Sequence, residues 1–169
     1  MNDKTREIVE IVGIFSVVAS LLFVGLQLIL DRRVATGAQF HERMALGHDS
    51  FEMQFQNDEW IRTTAKQWEA GNTPGWWNED VAAYREERNL SMEELVRESI
   101  FIQMTYLRMN NNYFQYQQGL IPDETWARLE PGIRTIPRSR PLYKAIAENF
   151  VVLEQGYIEL MDLDSVGNE

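Results

Sequence analysis

The chain has 169 residues, 44% of them hydrophobic and 25% charged, with a formal net charge of −10 and a mean hydropathy of −0.36. That length suits one domain rather than two full-sized ones. An acidic balance argues against nucleic-acid partners, and the absence of cysteine excludes a disulfide scaffold, a thiol nucleophile and cysteine-ligated zinc or iron–sulfur.

The first element is apolar. Ile11 to Leu30 reads IVGIFSVVASLLFVGLQLIL, without a single charge. At about 1.5 Å per helical residue, such a run is about 30 Å long, the thickness of the hydrocarbon core of a bilayer. Lipid selects helix here despite the β-branched content, because backbone groups must pair internally. The run is too long for a secretory leader, and Asp31-Arg32-Arg33 follows it instead of a small-residue cleavage site, so residues 1–33 are expected to form an N-terminal transmembrane anchor. They carry as many acids (Asp3, Glu7, Glu10, Asp31) as bases (Lys4, Arg6, Arg32, Arg33), so the whole net charge falls on the remainder.

Small and polar residues in the span are ordered. Gly13, Ser16, Ser20, Gln27 and Asp31 fall within a stripe of about 60° on a helix, with Glu10 at its edge. Between helices in lipid there is no hydrophobic drive, so small residues and hydrogen-bonding side chains mark the contact face. These six residues are therefore the expected helix–helix interface, with another membrane protein or a second copy of the chain; the alternative is that Gln27 and Asp31 lie in the headgroup region and Ser16 and Ser20 bond back to carbonyls of their own helix. Charges flanking the span give only a weak lean toward a cytoplasmic body.

Residues 34–163 are expected to form an acidic helical body, an antiparallel bundle of three or four helices, followed by a short acidic tail at 164–169. Residues 34–70 contain no proline, and Phe40, Met44, Gly47/His48, Phe51, Phe55 and Trp60 recur at three-to-five-residue steps, which predicts one amphipathic helix. His41 and His48 share a face of it, with Glu52 one turn beyond. Two imidazoles and a carboxylate could ligate a divalent metal, but seven residues is a poor chelating separation and no Glu-x-x-His pair is present. They are weak metal candidates, and no cofactor is expected.

Gly71-Asn72-Thr73-Pro74-Gly75 breaks the helix, and Trp76-Trp77 follows. Paired tryptophans in a loop suit a membrane interface or a partner's pocket, or else plug the end of the bundle. Ser91-Met92-Glu93-Glu94 is a capping box that opens a helix to about Gln118, closed by Gly119 and apolar over a wide arc. Its Asn110 to Gln118 end, with Tyr113 and Tyr116, is a second candidate contact surface. Asp123 is the expected N-cap of a short helix to about Leu129, Pro131-Gly132 and Pro137 break the chain, and a last helix runs from Pro141 to about Leu163.

Catalytic constellations are missing from the sequence. There is no Gly-x-Ser-x-Gly elbow, phosphate loop or dinucleotide fingerprint, so no enzyme is expected. The expected function is a membrane-anchored interaction or assembly protein. Its alternatives are a tethered sensor with Trp76, Trp77 or Tyr113 lining a pocket, and a metal-dependent enzyme using His41, His48 and Glu52.

Two stretches, EIVGIFSVVASLLFVGLQLILDRR and NNYFQYQQGLIPDETW, carry a resemblance. The chain resembles a widespread group of uncharacterised bacterial single-pass membrane proteins. Matching positions are Glu10, Gly13, Ser20, Gln27, Arg32 and Arg33, then Asn112, Tyr113, Tyr116, Gly119, Leu120, Glu124 and Trp126. The resemblance implies a bacterial inner-membrane location with the body in the cytoplasm, and brings no activity, cofactor or catalytic residue. Leu28-Ile29-Leu30-Asp31 departs from the group's pattern by delaying the polar stretch after the span.

Overall fold

The computed structural model describes residues 3–150 and 153–161; the acidic tail expected at 164–169 lies outside them. All regular structure among the described residues is helical, with seven α-helices, a 3-10 turn and no strand. The chain divides into two compact units, Met1–Ala38 and Gln39–Glu169.

Helix α1, Asp3–Gln56, supplies all regular structure of the first unit and continues into the second. It is the one described helix long and apolar enough to cross a membrane.

In the second unit the end of α1 presents Phe40 and Met44, both buried, to Leu107. Phe40 stacks on Phe114 with ring centroids 3.9 Å apart. The single helix expected over 34–70 is in fact two. Asn57 interrupts it, its side chain accepting from the Trp60 amide at 3.0 Å, and α2 follows at Asp58–Glu69 with two acids in its first turn. The break re-phases the apolar face, so Ile61 and Ala65 of α2 are buried while Trp60, in line with the earlier spacing, is exposed.

Helix α3, Glu79–Glu87, was not expected from the sequence pattern. Asn78 caps it by accepting from the Val81 amide at 2.9 Å. Helix α4, Met92–Gln117, begins with the expected capping box and ends at Gly119, whose φ of +71° suits a residue without Cβ. It buries Leu95, Val96, Ile100, Ile102, Tyr106 and Leu107, and both α2 and α6 pack against it, as its wide apolar arc requires.

Two boundaries differ from expectation. Pro122, not Asp123, holds the N-cap position of α5 (Asp123–Thr135), without a side-chain cap bond. Helix α5 also continues through Pro131-Gly132, because Ile133 in the next turn is buried and the Thr135 hydroxyl donates to the Pro131 carbonyl at 2.8 Å. A 3-10 turn at Ile136–Arg138 leads to α6, Pro141–Asn149.

The last expected helix is likewise two, α6 and α7 (Gln155–Met161). Between them Leu153 is buried, and the Glu154 amide donates to the side chain of Asn110, wholly buried in α4. Helix α7 lies on α5, buries Tyr157 and Met161, and has its last carbonyls capped by arginines. Arg134 donates to Leu160 O at 3.2 Å, and Arg138 donates to Met161 O at 3.1 Å. Cations at a helix C-terminus complement its dipole. The body therefore holds more and shorter helices than the three or four expected.

Candidate functional site

The apolar segment of α1 is bare. From Ile11 to Leu30 no described side chain is buried, with Phe15 73% and Leu21 67% exposed. A contiguous apolar surface of this extent is far larger than a soluble monomer leaves open, and marks a membrane or protein contact. Glu10, Gly13, Ser16, Ser20, Gln27 and Asp31 are all exposed along this unbroken helix, so their sequence spacing sets them on one face. A Cβ built at Gly13 meets no atom within 4 Å, so that position is open to close approach. Ser16 differs from the others in its hydrogen bonding. Its hydroxyl donates to Val12 O at 2.8 Å, so it offers a neighbour its small size and its oxygen, not its proton.

The aromatic candidates are engaged within the body. Trp76 and Trp77 are half-buried around Trp68 of α2. Trp76 meets Trp68 edge-on at 5.3 Å, and Trp77 meets it at 6.2 Å. Tyr113 sits between Trp126 and Tyr157, 5.9 Å from each, and Tyr116 stacks on Trp126 at 4.5 Å with planes 6° apart. Burial, and then the carboxylates of Glu159 and Glu154, push the Tyr113 phenol above its ordinary pKa. The grooves described below are lined by other residues.

The histidines separate. The Asn111 amide nitrogen of α4 donates to His41 Nδ1 across 3.1 Å. His48 instead faces Glu52, with Nδ1 and Oε2 4.0 Å apart. Ligand atoms of His48, Asp49 and Glu52 lie within 4.8 Å of one another, so Asp49 stands where His41 was expected. All three come from one turn of one helix and no second element contributes among the described residues, one ligand short of a closed tetrahedral site.

His41 and His48 also line a groove of about 250 Å³ against α4. Its apolar lining is Met44, Ala45 and Leu107; Asp49, Arg108 and Asn111 add polar groups. Helices α1 and α4 approach closely here, since a Cβ at Gly47 would come within 3.0 Å of Leu107 Cδ1. Periodicity along α1 flagged its histidines and the amide-rich end of α4 included Asn111, but nothing local in α4 pointed to Arg108.

A polar cluster joining α3, α4 and the start of α6 was also missed. The Tyr84 hydroxyl donates to Glu98 Oε1 at 2.7 Å, and Arg140 donates to the same oxygen at 3.0 Å. Burial and then Glu98 raise the Tyr84 pKa, keeping the phenol a donor. A groove of about 320 Å³ beside it is lined by Phe101, Met109, Ile136 and Tyr143, with Arg108 and Arg140. Compared with protein-family models, curated proteins and solved structures, the chain matches none.

Proposed function

We propose that this protein is a single-pass, membrane-anchored interaction protein, assembling through α1 as a homo-oligomer or as an accessory subunit of a larger inner-membrane complex. The observation that carries the reading is the bare apolar segment of α1 with its one-sided row of Glu10, Gly13, Ser16, Ser20, Gln27 and Asp31. Lipid satisfies the apolar faces, while Gln27 and Ser20 are satisfied best by a second helix, because an unpaired amide in hydrocarbon is costly. The acidic body, read as a helical bundle on the cytoplasmic side, carries the other contacts. The resemblance to bacterial single-pass proteins supports that topology and the inner-membrane location.

The test is the size of the assembly, measured by native mass spectrometry of the full chain released from membranes in mild detergent. The wild type is expected to run above monomer mass, and the triple variant S16L/S20L/Q27L to fall to the monomer. A wild-type monomer without a stoichiometric companion, or an assembly unmoved by the triple variant, overturns the proposal. Because the chain has no cysteine, a single exposed Asp58→Cys label read from either side of the membrane reports where the body lies.

A further inference from the structure

The part of α1 that belongs to the second unit turns one face to the body and leaves the opposite one bare. Phe40 and Met44 are buried against Leu107, and Phe51 and Phe55 pack on the main core. At about 100° per residue, Glu42, Leu46, Asp49 and Met53 fall within an arc of about 60° on the far side. Leu46 and Met53 are 66% and 68% exposed, the two barest large apolar side chains described in that unit. Glu42 and Asp49, also exposed, alternate with them. The one Lys or Arg between residues 39 and 56, Arg43, is turned away and lies over the Phe40 ring at 5.5 Å.

Steps of four, three and four residues are the spacing of a seam between two helices. Leu46 and Met53 occupy one set of seam positions and the two acids occupy the other. Apolar side chains seven residues apart are the anchors by which one helix takes up another.

Charge selects the partner. Copies of this chain anchored in one membrane run parallel, and a parallel pair in register sets each seam residue against its twin. Glu42 then opposes Glu42 and Asp49 opposes Asp49, a juxtaposition of like charges that disfavours self-pairing. The row in the first unit has the same bias, with Glu10 and Asp31 and no base among its six residues. Anionic lipid is repelled by the same carboxylates.

We propose that the Glu42, Leu46, Asp49 and Met53 face of α1 docks a basic amphipathic helix of a different membrane protein. Its apolar side chains cover Leu46 and Met53, while its Lys or Arg side chains lay their stems on the same surface and bring their charges to Glu42 and Asp49. This rests on the reading of α1 as an anchor, and it names the chemistry of the partner that an accessory subunit requires.

Photo-crosslinking of the full chain in its native membranes tests this, with p-benzoylphenylalanine replacing Leu46, Met53 or, as a control on α5, the exposed Glu124. Adducts are expected at Leu46 and Met53 and not at Glu124. Mass spectrometry of the adduct is expected to show a segment of another protein with Lys or Arg at three- or four-residue steps. E42Q/D49N is expected to lower the adduct yield at Met53 by about tenfold. An adduct with a second copy, with lipid or with a segment lacking bases overturns the proposal, as does no adduct at either position or a yield unmoved by E42Q/D49N. The two contacts fail separately. If S16L/S20L/Q27L breaks the assembly but no basic segment is captured, the anchor row stands and this face falls. If the basic segment is captured equally in that triple variant and the assembly keeps its mass, this face stands and the anchor row falls.

Discussion

Asn110, wholly buried in α4, accepts from the backbone N–H of Glu154 at 3.0 Å, and its amide nitrogen reaches the Met44 sulfur of α1 at 3.9 Å. One side chain thus serves both the start of α7 and the end of α1. Asn110→Leu removes the acceptor and leaves the Glu154 N–H without its partner. It is expected to destabilise the body by about 1–3 kcal/mol, measured as a lower urea midpoint with an unchanged slope.

The two most deeply buried tyrosines are expected to answer differently to loss of their hydroxyls. The Tyr106 hydroxyl donates to Tyr143 O at 2.8 Å, whereas the Tyr157 hydroxyl is buried with no partner. Tyr106→Phe is expected to lose about 1 kcal/mol, the net worth of an ordinary hydrogen bond, and to orphan a carbonyl. Tyr157→Phe removes an unsatisfied polar atom and is expected to leave stability unchanged or raised. Thermal unfolding of the two variants side by side distinguishes them.

Alkali is expected to unfold the body earlier than a set of solvated tyrosines would. Burial raises the Tyr106 and Tyr157 phenols well above their ordinary value, with neighbouring Tyr157 and Tyr143 adding to the rise at Tyr106. In the unfolded chain these phenols ionise near pH 10, while in the folded chain they stay protonated. The unfolded state therefore loses protons first, and stability that is full below about pH 10 falls as the pH rises above it. The thermal midpoint is expected to be level from pH 8 to 9.5 and to drop beyond, with a shallower drop in Tyr157→Phe; an identical slope in that variant counts against the linkage.

Gly119 closes α4 in the left-handed region, with the Leu120 amide donating to Gln115 O at 2.9 Å. Gly119→Ala places a Cβ where it strains the backbone and is expected to lose about 1 kcal/mol. Gly75→Ala, in a loop with open space around it, is expected to be neutral, and urea unfolding of the pair separates backbone strain from a general loop effect.

What could be read in the sequence was what one helix or one turn encodes. Ser91 and Glu94 announce α4 because both halves of the capping box lie three residues apart, and both bonds form, at 3.2 and 2.8 Å. The long apolar helix at the N-terminal end was legible for the same reason, since its signal is an uninterrupted apolar run. Asn57-Asp58-Glu59 and Asn78-Glu79-Asp80 carry the same kind of start signal as Ser91. The first was masked by apolar spacing that runs on past it, and the second by a helix too short to show a periodic face. The groove was not legible in principle: Asp49 and Arg108 are far apart in the chain and come to line one groove only through the close approach of Gly47 to Leu107. Tyr84, Glu98 and Arg140 come from three separate elements, and in isolation each reads as an ordinary surface residue.

Helix α7 is only seven residues long, yet it supplies Tyr157 and Met161 to the core and takes its capping donors from Arg134 and Arg138. A helix so short does not persist by itself in water. A nascent chain stalled before Leu153, or one clipped there by a protease, uncovers the rings of Tyr113 and the flank of α5 together. Such a truncated product presents apolar surface to chaperones and degradation machinery, so α7 acts as a seal over the elements made before it.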